Sequence, residues 1–184
     1  MILEIVKYGT PVLRAKGKTI TEINDTIRTL AENMIDTMRA ANGVGLAAQQ
    51  VGEALQLTVL DVPEMDERPS TMTLNGKPCD LNDWMPMVLI NPQLEPGKAR
   101  EIGIEGCLSF PDITADISRA VSVIAKAQLL DGTQIEFEAT GLLARALQHE
   151  VDHLNGILFI DRMNSATKTG LAGRLKRMQR DASA

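Results

Sequence analysis

The chain has two histidines, and both fall within the six residues Gln148-His149-Glu150-Val151-Asp152-His153. Leu143, Leu147, Val151 and Leu154 recur around them at helical spacing, with Gly141 before the stretch and Gly156 after it, so the pattern predicts an amphipathic helix. Imidazoles at i and i+4 project from one helical face and can grip the same ion. This requirement constrains the fold more than any other feature: the remaining chain must cover that face and bring further ligands to it. Glu150, about 100° further round the axis, can take a proton from bound water without filling a ligand position. Two imidazoles do not complete a metal shell. The candidate third ligand is Cys107 in Glu105-Gly106-Cys107-Leu108-Ser109, a thiol beside a glycine where the backbone can turn sharply.

The chain that must build this scaffold has 184 residues, 44% of them hydrophobic, enough for one domain over 1–184 with a core that needs no staples. A first amphipathic helix is predicted over Asn24–Ala41, stopped by Asn42-Gly43. Leu55–Val62 reads as a strand ended by Pro63, and Met87–Asn91 as another ended by Pro92. Alternation over Val121–Leu129 and Ile135–Ala139, joined through Asp131-Gly132, predicts a hairpin. Residues 64–86 carry three prolines and mixed polarity, and are expected to form a surface insertion in which Cys79 has no role. Residues 165–181 are expected to form a basic C-terminal helix, with Leu171, Leu175 and Met178 along one side. The expected class is α+β, with sheets packed around the histidine helix.

No run approaches about 18 consecutive apolar residues. The start, MILEIVKYGT, lacks the basic n-region of an export signal, so a cytoplasmic location and no membrane association are expected. Cys79 and Cys107 are therefore not expected to pair. Nineteen basic against 24 acidic side chains give a net charge of -5, and aromatics are 3%. Both argue against sequence-specific nucleic-acid binding or a base-stacking platform.

Three segments together resemble the peptide deformylase family: Gly43-Val44-Gly45-Leu46-Ala47-Ala48-Gln49-Gln50, Glu105-Gly106-Cys107-Leu108-Ser109, and Gln148 to His153. The resemblance implies a monomeric α+β hydrolase that removes the formyl group from N-formylmethionyl polypeptides. It implies a metal held by Cys107, His149 and His153, with Glu150, Gln50 and the Leu108 amide as catalytic groups. Substrate-binding residues would be Val44, Gly45, Gly106, Leu142, Arg145 and Ala146. Gly43 and Glu105 would give structural support, the latter through an ion pair for which Arg119 is the suggested partner. Ligand type alone favours Zn2+ over Fe2+, whereas the resemblance implies Fe2+, replaceable by Zn2+, Ni2+ or Co2+. It also implies a ribosome contact near the nascent-chain exit through the basic tail.

Arg145 departs from the apolar pocket the family uses. Either its stem lines the pocket while its guanidinium reaches water, or the pocket tolerates other side chains. Gly45 is expected both to stop a helix and to admit the substrate backbone. The rival readings are a zinc peptidase, which would normally take a downstream Glu or His as third ligand, and a noncatalytic ribosome-binding module with a structural metal.

Overall fold

A computed structural model describes residues 1–184. Helix α1 (Asp25–Ala40) begins at Asn24, whose side chain accepts from the Ile27 amide at 3.0 Å. It buries Ile27, Ala31, Met34 and Met38, the stripe its 3.6-residue period sets up. Asn42, at φ 55°, supplies the left-handed turn that ends it.

Nine strands follow: β1 (Gly45–Ala47), β2 (Leu57–Leu60), β3 (Ser70–Leu74), β4 (Lys77–Cys79), β5 (Met87–Pro96), β6 (Arg100–Cys107), β7 (Phe110–Ala120), β8 (Ser122–Gln128) and β9 (Gln134–Thr140). Seven form one sheet in the order β1-β2-β5-β8-β9-β3-β4, and β6 and β7 pair separately. All pairings are antiparallel. Helix α2 (Gly141–Leu154) carries the histidines. Its Leu143 and Leu147 are fully buried in one cluster with Leu89, Val123, Ala125 and Phe137 of the sheet. Helix α1 packs in a second cluster with Leu46, Leu57 and Val59. A third gathers Leu13, Phe110, Ile113, Ile117, Leu158 and Phe159 behind β7. The histidine helix thus lies between the two sheets, covered on its apolar sides and open along one.

Two expectations from the sequence change. Pro92 does not end its strand: β5 continues to Pro96 because Asn91 adopts φ 51° and the register with β8 shifts between Ile90 and Gln93. The bulge lifts the proline out of the ladder, where its missing N–H costs nothing. Asn91 anchors it by exchanging two hydrogen bonds with the Ile20 backbone, at 2.9 and 2.8 Å. Residues 64–86 are not simply a surface insertion either. β3 and β4 form a hairpin about Asn75-Gly76, both at positive φ as a type I′ turn requires. β3 joins the main sheet against β9, and Met72 and Leu81 enter its core. Composition masked this, because prolines and polar residues dominate the segment while few positions face inward. Cys79 is half-buried and unpaired.

Helix α3 (Ser165–Ser183) is basic as expected and is docked: Leu175 is buried, and Leu171 and Met178 pack on the third cluster. No helix is long and apolar enough to cross a membrane. The turn before α3 is tied to the N-terminal turn by a two-pronged Arg14–Asp161 ion pair at 2.6 and 3.1 Å. Burial acts to raise the Asp161 carboxyl, but hydrogen bonds from Arg14 and the Leu158 amide hold it below its ordinary range. Stability from such a group is complete above the unfolded value, about 3.9, and is lost as pH falls through the folded one. Asp161→Asn should therefore cost on the order of 0.5–1 kcal/mol at pH 7, given solvent screening. That deficit should shrink as pH falls through the lowered folded value of Asp161, as read by thermal unfolding of both proteins across pH.

Candidate active site

β6 ends at Cys107, and Leu108-Ser109 form the two-residue tip before β7 begins at Phe110. This tip meets the buried face of α2. Cys107 Sγ lies 3.3 Å from His153 Nε2, which lies 3.2 Å from His149 Nε2. One donor atom from each residue falls within 4.8 Å of the others. Bond lengths around a tetrahedral ion would space two imidazole nitrogens about 3.3 Å apart, and nitrogen from sulfur about 3.6 Å. The Cys107–His153 and His153–His149 separations lie near these values, and soft sulfur with two imidazoles is a transition-metal donor set. His149 turns its other nitrogen, Nδ1, to Glu105 Oε1 at 2.8 Å. This outer contact orients a metal-binding imidazole.

Glu150 is 4% exposed and its Oε2 has no hydrogen-bond partner. Burial, opposed by His149 and Arg119 and reinforced by the negative charge of Glu105 and Asp152, pushes its carboxyl up to about 7. Gly45 makes room for this group: a Cβ there would stand 2.6 Å from Glu150 Oε1. Gly45 does not stop a helix, since α1 ends at Ala40 with the left-handed turn at Asn42 and Gly45 opens β1; to the space for substrate expected of it the packing adds a more stringent demand from the protein's own carboxylate. Gly43 is likewise pressed by Leu108, whose Cδ1 would be 2.8 Å from an added Cβ. Gly106 is not crowded by the protein, its nearest such approach being 3.5 Å. Gln50, 1% exposed in the 3-10 turn after β1, accepts from the Ala47 amide at 3.0 Å. That bond aims its Nε2 at Ser109 Oγ, 3.2 Å away, and Cys107 Sγ, 3.5 Å away.

These groups border a cleft of about 500 Å3 between the two sheets, lined also by Val44, Gly45, Gly106, Leu108, Leu142, Arg145 and Ala146. The model of the polypeptide deformylase family matches residues 2–169. The chain belongs to that family. Peptide deformylase of Methylacidiphilum infernorum is 43% identical over 180 residues, 98% of this chain and 94% of the relative. That of Thermodesulfovibrio yellowstonii is 45% identical over 163 residues, 89% and 90% of the two chains. Among solved structures, the Plasmodium falciparum peptide deformylase superposes with a TM-score of 0.82 at 30% identity, covering 97% of this chain and 96% of that one. The Synechococcus elongatus peptide deformylase, solved with actinonin, gives 0.79 at 35% identity over 95% and 86%. As a deformylase the chain is a hydrolase of the N-terminal formyl group, in a metal-dependent family.

Around the deformylase site lies a buried charge network of which the sequence suggested one bond. Glu105 receives Arg119 at 2.8 and 2.9 Å and Arg145 at 2.8 Å. Arg119 also reaches Asp152 at 2.6 Å, and Arg162 pairs with Asp152 at 2.8 Å from the surface side. Burial opposes the charge on Glu105, but the hydrogen bonds from Arg119 and His149 outweigh it and hold the carboxyl well below its ordinary range. Arg145 lines the cleft, but its guanidinium does not reach water. It is 5% exposed and bonds Glu105, the Ile117 carbonyl at 2.9 Å and the Glu101 carbonyl at 3.1 Å. A buried guanidinium needs charge and acceptors, and Glu105 with two strand carbonyls supplies them.

Sequence reading missed Ser109, Asp152, Lys7 and Arg68. Ser109 adjoins the Cys107 motif and Asp152 lies between the two histidines, so adjacency to the ligands is their signal in the sequence. Lys7, which donates to the Leu108 carbonyl at 3.0 Å, and Arg68 line the cleft from distant segments with no local signal. Gly45→Ala should lower kcat at least tenfold with little loss of fold, since the carboxylate must swing off its position; steady-state kinetics with a thermal melt check it.

Proposed function

We infer that the protein hydrolyses the formamide of N-formylmethionyl peptides and releases formate, with a divalent ion held by Cys107, His149 and His153. The observation that carries this reading is the convergence at one cleft of Cys107 Sγ, two Nε2 atoms, an unpartnered Glu150 oxygen and the Gln50 amide. When bound, the ion supplies an acidified water near neutral pH and draws charge from the formyl oxygen. Glu150 takes the proton of the attacking water, which its raised carboxyl can hold near pH 7, and returns it to the departing amine. Gln50 Nε2 and the Leu108 N–H donate to the oxygen on which charge develops, and losing one such donor costs about 3 kcal/mol in barrier. Val44, Leu142 and Ala146 give the methionine side chain an apolar wall. β1 is an edge of the larger sheet, and Gly45 and Gly106 bring backbone to the cleft from either side. An extended peptide can lie between them.

Ferrous iron is the native ion in this reading, on family resemblance, with Zn2+, Ni2+ or Co2+ able to take its place. A thiolate beside Fe2+ should make activity fall on aerobic handling while nickel preserves it. Equal, stable turnover from zinc and anaerobic iron forms would refute the preference. The protein acts as a cytoplasmic monomer whose basic α3 face meets the ribosome near the nascent-chain exit. Because Leu175 anchors α3 in the core, the informative test is charge reversal at Lys176, Arg177 and Arg180 rather than truncation. Ribosome cosedimentation should weaken while hydrolysis of free peptide is spared.

Anaerobically prepared protein should release formate from formyl-Met-Ala and leave acetyl-Met-Ala intact. The zinc-peptidase alternative predicts cleavage of the Met-Ala bond instead, and a structural-metal protein predicts neither.

A further inference from the structure

We propose that Arg68 is a specificity-determining residue: its side chain straps the cleft from the start of α2 to β6 and closes the outer end of the pocket for the first side chain. This rests on the formylmethionine reading and extends it to what sets the pocket's size. The backbone beside Arg68 is fixed to the helix. Ser70 Oγ accepts from the Leu143 amide at 2.9 Å, and an added Cβ at Gly141 would stand 1.7 Å from the Pro69 carbonyl oxygen. One residue earlier, the half-buried Arg68 sends Nη2 to the Ile104 carbonyl of β6 at 3.2 Å.

The Arg68 side chain therefore runs from a backbone held against the start of α2 to the Ile104 carbonyl of β6, along the cleft that Leu142, Arg145 and Ala146 also line. Ile104 borders the same cleft and is 62% exposed, so β6 carries no cover of its own at this end. A side chain entering between Ile104 and Leu142 meets Arg68 as its limit. An unbranched chain of methionine's reach fits beneath the strap. A phenyl ring, wider and rigid, must displace it and break the bond to Ile104, a loss that appears in binding rather than in the chemical step.

The test compares kcat and KM for formyl-Met-Ala and formyl-Phe-Ala in wild type, Arg68→Ala and Arg68→Gln, with thermal melts of all three. The Met/Phe ratio of kcat/KM should fall at least fivefold in Arg68→Ala, carried by a lower KM for the Phe peptide. Arg68→Gln, which keeps a donor and part of the reach, should lie between. An unchanged ratio in a variant that still turns over formyl-Met-Ala overturns the proposal. So does an equal loss on both substrates with a lowered melting temperature, which would mark a merely structural residue. If wild type hydrolyses neither formyl peptide, the deformylase reading fails first, and the role of Arg68 with it.

Discussion

Glu150→Gln should lower kcat for formyl-Met-Ala by roughly 10²–10⁴-fold, the range that a positioned general acid–base supplies, while ion content and the melting temperature stay close to wild type. The substitution keeps shape and removes the ability to accept and return a proton. Little in the fold depends on the charge, because Oε2 has no protein partner and the carboxyl sits where burial already disfavours ionisation. The loss should therefore fall on kcat with KM nearly unchanged, the pattern of an interaction made in the transition state. Steady-state kinetics beside elemental analysis of the same preparation read it. A variant within tenfold of wild type, at equal ion content, would remove Glu150 from the chemistry.

Glu105→Gln should cost about 3–5 kcal/mol of stability, because it leaves the buried Arg145 guanidinium with no carboxylate and takes from Arg119 one of the two it bonds, Asp152 being the other. Arg119 and Arg145 both bond this carboxylate, and Arg119, Arg145 and Glu105 are all nearly inaccessible to solvent. For a chain of this size the loss corresponds to a fall of roughly 10 °C or more in melting temperature. The variant should also bind its ion about 10–100-fold more weakly, since His149 Nδ1 loses a charged acceptor. The sign of the pH dependence follows from the lowered Glu105 carboxyl: the wild-type advantage is full above about pH 4.3 and is lost only as pH falls through the lower folded value. Thermal unfolding across pH and competition with a chelator measure the two effects. A melting temperature within 2 °C of wild type would show that the network contributes far less than its burial suggests.

These expectations draw unequally on what could be read before the fold was known. Helix α2, its paired imidazoles and the carboxylate beside them were legible because helical periodicity and i,i+4 spacing are local. The β8–β9 hairpin declared itself through alternation and Asp131-Gly132. The strand through Pro92 was not legible, since the bulge that rescues it is held by Asn91 contacting Ile20 across 71 residues. The β3–β4 hairpin had a local sign in Asn75-Gly76, but its polar, proline-rich surroundings outweighed it until pairing with β9 gave it a place.

The same division runs through the site. Sequence by itself determined which atoms could ligate an ion, because donor chemistry belongs to residue type, and it put the two imidazoles on one face because a helix has a fixed pitch. Sequence also offered Cys107 as the third ligand, through its glycine-flanked motif and the family resemblance, and tertiary structure brings this thiol, forty-two residues upstream of His149, to the two imidazoles. Tertiary structure alone decided that Arg145 turns inward to Glu105, that Gly45 yields its side-chain space to Glu150, and that Arg68 reaches across to Ile104. Each of these is a contact between side chains or backbone remote in the chain. Such contacts depend on how two sheets and a helix pack in three dimensions, and no periodicity along one dimension encodes them.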